Sequence, residues 1–101
     1  MRGMGKRFTL SFMTSPLKDT GTRFEMVEQG LTSFADYRRA GDRIVIDHVE
    51  SPPALRGTGA SGRLMEALSA DIQARGLKIT PVCSYAAAWL KRSDAHRALL
   101  D

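Results

Sequence analysis

Between residues 23 and 50 the chain alternates apolar or small side chains with polar ones, in three runs separated by tight-turn signals. Phe24-Glu25-Met26 opens the first run, which Gln29-Gly30 ends. Leu31 to Arg38, with Phe34 and Tyr37, forms the second, and Ala40-Gly41-Asp42 turns it. Arg43 to Glu50 is the third and is β-branched in character; Pro52-Pro53 stops it because neither proline can donate to a ladder. Period-two alternation with turns this short predicts an antiparallel meander. The period then changes. Leu64, Leu68 and Ile72 recur every four residues, joined by Met65, which is the apolar stripe of a helix. Arg75 suits the negative end of that helix and Gly76 its C′ position. Leu77 to Cys83 returns to a strand, parallel to the third because a helix crosses between them. Ser84 is placed to cap a short second helix through Trp89 and Leu90, and Ser93 a final turn. The predicted order is β-β-β-α-β-α, an α/β (α+β) fold with a mostly antiparallel sheet, one parallel pair and two to three helices.

Composition narrows the classes. At 101 residues there is room for one domain and one modest core. Residues 1–22 show no sustained period and are expected to form a mobile arm, with residues 23–101 as the single domain. No apolar run approaches the ~20 residues needed to span a bilayer, and Phe8 to Met13 is too short and too polar for a signal segment. One cysteine cannot form an internal disulfide, which suits a reducing cytoplasm. The net charge is +4, but its 15 basic residues are scattered from Arg2 to Arg97. Scattered charge reads as a solvated surface that also suits a polyphosphate ligand, whereas a nucleic-acid reader would show a basic stripe interleaved with aromatics.

The chemistry concentrates in Arg56-Gly57-Thr58-Gly59-Ala60-Ser61-Gly62, between the third strand and the helix. A Gly-rich turn there presents backbone N–H groups, the helix N-terminus adds free donors, and Arg56 adds a fixed positive charge, so the loop is suited to a phosphate. The letters satisfy G-x-G-x-x-G, but Ser51-Pro52-Pro53-Ala54-Leu55 intervenes between strand and loop, and the next strand ends in Pro81-Val82-Cys83 with no acid, so the dinucleotide fingerprint fails. A Walker loop fails too, because Arg63-Leu64 follow Gly62 where Lys-Ser/Thr should stand.

The same residues fit Arg/Gln-x-x-Gly-x-Gly/Ala, with Ser61 departing at the last position. This resembles the pyrophosphate loop of the GNAT superfamily of acetyl-CoA-dependent N-acetyltransferases. The run His48 to Gly59, the run Gly76 to Tyr85 with Trp89-Leu90 after it, and Tyr37, Gly41 and Asp42 are similar to the compact, single-domain YjdJ-like branch of that superfamily. The resemblance covers about residues 23–93, which also makes Met13 a candidate natural start; Ser93 to Ala98 departs from the branch's usual ending. It implies a reduced GNAT fold, with the parallel strand pair at the cofactor site and acetyl-CoA or CoA as cofactor. The acceptor it implies is an amine on a small molecule, a peptide or a protein lysine. Cofactor contacts would come from the backbone of Val49 and Glu50, from Arg56, Gly57, Thr58, Gly59, Ala60, Ser61 and Gly62, and from Ser84 and Tyr85. The helical segment that walls the acceptor site in the wider superfamily has no counterpart, since only a turn joins the first two strands.

Three side chains are candidates for the catalytic work. Cys83 ends a strand just before a helix N-terminus, where the dipole favours a thiolate; the resemblance makes it a nucleophile or a CoA-proximal residue, and otherwise it is a small core hydrophobe. His48 lies on the strand beside the cleft, and an imidazole is suited to taking the proton of an amine. Glu50 is the alternative base, since acetyltransferases often use a strand carboxylate in this region. Tyr85 is placed to protonate a thiolate, and His96 reads as a surface residue. The leading function is a small acetyl-CoA-dependent N-acetyltransferase; the alternatives are a non-catalytic CoA-binding regulatory or interaction module and, on pI alone, a basic nucleic-acid binder.

Overall fold

The structure, a computed structural model, describes residues 16–101. Residues 1–15 and the start at Met13 lie outside it. A two-residue strand β1 (Lys18–Asp19) comes first, then β2 (Arg23–Glu28), β3 (Leu31–Ala40) and β4 (Arg43–Glu50). A 3-10 turn over Pro53–Leu55 leads to helix α1 (Ala60–Ala74), strand β5 (Lys78–Pro81) and the short helices α2 (Ser84–Leu90) and α3 (Asp94–Arg97). The five strands lie in sequence order, with β4 and β5 parallel and the other pairs antiparallel. This is the expected mixed sheet with one parallel pair and three helices.

Strand β1 lies within residues 1–22, the stretch expected to form a mobile arm, and joins its residues 18 and 19 to the sheet. Asp19 pairs opposite Phe24, accepts a hydrogen bond from the Tyr37 hydroxyl at 2.6 Å, and accepts another from Arg75 Nη2 at 2.7 Å. Two polar residues carry no period to read; what fixes them is partners far along the chain. Burial and the Asp19 carboxylate push the Tyr37 phenol up to about 12.

Gln29 and Gly30, both at positive φ, make the β2–β3 hairpin turn, the pair of left-handed residues that matches strand twist. No helix separates those strands. The core forms between one face of the sheet, with Phe24, Ala35, Tyr37, Ile44 and Ile46, and the stripe of α1, where Leu64, Met65, Leu68 and Ile72 are wholly buried. Each such side chain contributes about 1.5–3 kcal/mol on burial. Helix α1 ends as its sequence predicts: Gly76 takes φ +72°, and Leu77 N–H returns to Ile72 O at 3.1 Å.

Two local expectations need correction. Ser84 is the first residue of α2, not its cap; Cys83 occupies the N-cap position and no side chain caps that end. His96 is half-buried, because its ring lies 4.4 Å from Trp89. Ser93 does cap α3, accepting from His96 N–H at 3.2 Å. The C-terminal tail then covers the β5 edge, with Leu99 O accepting from Ile79 N–H at 2.8 Å.

Candidate cofactor and catalytic site

Two departures from regularity open the site. The β3–β4 register shifts between Asp36 and Tyr37, which face His48 and Ile46, so Asp47 is an extra residue that bends β4. Pairing with β5 stops at Ile46↔Pro81. Val82 and Cys83 N–H both donate to Ile46 O, at 2.9 and 3.1 Å, as the chain swings into α2. Beyond the bulged Asp47, residues 48–50 of β4 therefore keep β3 on one side and have no paired strand on the other.

A cavity of about 560 Å³ occupies that opening. From β4 it is lined by His48, Val49 and Glu50, from the loop by Arg56, Gly57 and Gly59, from the start of α1 by Ala60, Ser61 and Gly62, and from α2 by Tyr85. Those ten expected residues converge on one space. Thr58, Cys83 and Ser84 do not line it, whereas Ser51 and Leu55 do and were not expected.

The loop is shaped for an anion. Thr58 folds back on the preceding turn, its N–H and Oγ1 both donating to Leu55 O. Gly57 and Gly59 sit at φ +81° and +88°, a region that L side chains enter only with strain. The first turn of α1 has no side-chain cap and no acidic residue, so its leading N–H groups and the positive helix end are left for a ligand. Arg56 is largely exposed, held only loosely by Ser51 O at 3.4 Å, with Nη2 4.0 Å from Glu50 Oε2. Gly62 faces α2: a Cβ there would make only ordinary contacts, 3.6 Å from Trp89 Nε1 and 4.0 Å from the Tyr85 hydroxyl.

On the open half of β4, His48 Nε2 and Glu50 Oε1 are 2.8 Å apart, two residues apart on one face. Both are about half exposed. The carboxylate can fix the imidazole's orientation. Burial raises the Tyr85 phenol above its ordinary value, which keeps it a proton donor. Cys83 is half-buried and packs against the core cluster beside the cavity.

Two supports were not visible in the sequence. Ser33, Ser51 and Ser61 form a hydroxyl chain at 2.8 and 2.6 Å, tying β3 through the loop to α1. Arg63 bonds both carboxylate oxygens of Glu28, at 2.9 and 2.8 Å. These partners lie 10 to 35 residues apart in sequence. The available signal was the position of Arg63 itself, a cation in a helix's first turn, which requires a partner.

A family model described as GCN5-related N-acetyl-transferase matches residues 23–99. The chain belongs to that family. Its fold is also similar to the NMR solution structure of a proposed GCN5-like N-acetyltransferase from Staphylococcus aureus, with a TM-score of 0.62 and 23% identity over 84% of this chain and 86% of that one. No curated protein matches the chain. In this GCN5-related N-acetyltransferase, the loop that begins at Arg56 and the splayed end of β4 line the same cavity. Among the described residues, no helix is long and apolar enough to cross a membrane.

Proposed function

We propose that this protein transfers an acetyl group from acetyl-CoA to an amine. The observation that carries the reading is the convergence, in one cavity, of an uncapped Gly-rich helix start with the unpaired end of a strand bearing His48 and Glu50. Acetyl-CoA fits the residues present: its pyrophosphate would meet the N–H groups of residues 59–62 and the charge of Arg56, and its amide-bearing arm the open backbone at Val49 and Glu50. When bound, it supplies an activated acetyl thioester.

The chain's own groups then have distinct tasks. His48, oriented by Glu50, accepts the proton that the amine must lose. A backbone N–H on the open edge of β4 is the natural donor to developing negative charge on oxygen. Tyr85 holds a proton for the departing thiolate. Cys83 lies beside the lining and in this reading is a neighbouring thiol, not the nucleophile. A single unpaired cysteine suits a cytoplasmic protein.

The test is an acetyl-CoA turnover screen against small amines, peptide N-termini and lysine peptides, scored by free thiol and acetylated product together. Turnover on at least one class is expected. Tight CoA binding with no turnover on any class would instead make the protein a CoA-binding module.

A further inference from the structure

Arg63 stands in the first turn of α1, where a positive charge opposes the helix dipole. Glu28, the buried last residue of β2, answers it with a two-pronged ion pair through Arg63 Nε and Nη2, the geometry in which guanidinium and carboxylate match best. The Arg63 guanidinium in turn holds the Glu28 carboxyl below its ordinary value. One nitrogen is left over. Nη1 donates to Thr58 O at 3.0 Å. Neither Arg63, Glu28 nor Thr58 lines the cavity.

The Thr58–Gly59 peptide is trans, so its C=O and N–H point in opposite directions. With the carbonyl drawn toward Arg63, outside the lining, the Gly59 N–H is turned the other way. Gly59 lines the cavity, and among the described residues its N–H has no acceptor. Glycines at 57 and 59 leave this stretch of backbone with little orientation of its own, so something must hold it. We infer that the Glu28–Arg63 pair is a positioning device for the phosphate cradle, fixing the Thr58–Gly59 peptide with its N–H aimed into the cavity while neither side chain touches the anion. The acetyl-CoA reading enters only in naming the molecule that carries the anion.

The test uses the whole chain, inorganic pyrophosphate and CoA as probes, and the Gly59 amide resonance as readout. In wild type both probes should shift that resonance. Arg63→Gln should weaken pyrophosphate binding about tenfold, the loss of one aimed charge-assisted donor, with the salt dependence of binding unchanged. Arg63→Lys keeps a charge for Glu28 but cannot hold Glu28 and Thr58 O together, so it should stay folded and show the same loss. Arg56→Ala, by contrast, should lower both affinity and salt dependence, because Arg56 faces the anion directly. Wild-type affinity with an intact Gly59 shift in Arg63→Lys would overturn the inference. So would a reduced salt dependence in either Arg63 variant, which would make Arg63 a direct contact. Pyrophosphate binding through Gly59 without CoA binding would sink the acetyl-CoA reading and leave the positioning role standing; no Gly59 response to either probe would sink both.

Discussion

Arg43–Ile46 and Asp47–Glu50 belong to the same strand, yet the first half is paired on both sides and the second on one. Ile44, Val45 and Ile46 are buried, whereas His48 and Glu50 are exposed around a cavity. The extra residue Asp47 and the end of β5 at Pro81 mark the change. The first half invests its backbone and side chains in the fold. The second leaves its backbone unpaired on one side and its polar groups converging, which is a poor way to stabilise a sheet and a good way to receive a ligand.

The largest expected effect falls on the open half. His48→Gln should lower kcat/KM by about 10²–10⁴-fold, the span of a positioned acid–base group. Its stability should change by less than about 0.5 kcal/mol, as for a surface substitution. Chemical denaturation and steady-state kinetics on the same sample separate the two. In the closed half the pattern inverts: Ile44→Ala should cost about 2–5 kcal/mol of stability, while any fraction that stays folded retains its CoA affinity. A His48→Gln protein that melts, or an Ile44→Ala protein that is stable but inert, would erase the distinction between the halves.

A smaller effect tests the support beneath the loop. The Arg63 guanidinium lowers the Glu28 carboxyl from its ordinary value of 4.5. A group depressed in the folded state adds stability that is present above its unfolded value and is lost as pH falls through the folded one. Glu28→Gln should therefore cost about 1–2 kcal/mol near neutrality, kept modest because Arg63 is half exposed. It should also flatten the loss of stability in acid below pH 4.5. An acid melt whose slope is unchanged by the substitution would mean that the pair contributes little.

The smallest effect is at Cys83. Cys83→Ala should retain much of the turnover, and alkylation of the wild-type thiol should slow when CoA is bound. Acetyl label on residue 83, with nearly all turnover lost in Cys83→Ser, would instead make it the nucleophile.

What the sequence disclosed follows the range of the forces involved. The alternation in β2 to β4 and the stripe Leu64–Leu68–Ile72 are periodic because each element buries one face, so they are visible within a short window. The Gly57 and Gly59 turn was equally legible, since local backbone geometry demands those residues. Strand β1, the Asp47 bulge, the Ser33–Ser51–Ser61 chain and the Glu28–Arg63 pair were not. Each depends on a partner across the sheet or helix, and no local pattern encodes it. Cys83 was legible only as alternatives, a CoA-proximal thiol or a small core residue, because its strand-end position suits both; the turn into α2 sets it half-buried against the core and outside the lining.

In the proposed function the open half of β4 and the Gly-rich start of α1 form a single CoA site, and thermal unfolding with and without CoA tests this most directly. If CoA binds only the native protein, a concentration a hundredfold above its dissociation constant should stabilise wild type by about 2.7 kcal/mol. Gly59→Val places a branched side chain at φ +88°, where even a Cβ would meet Arg63 Nη1 at 3.0 Å, and should abolish that gain. Equal stabilisation of the two proteins, or none in wild type, would contradict the account.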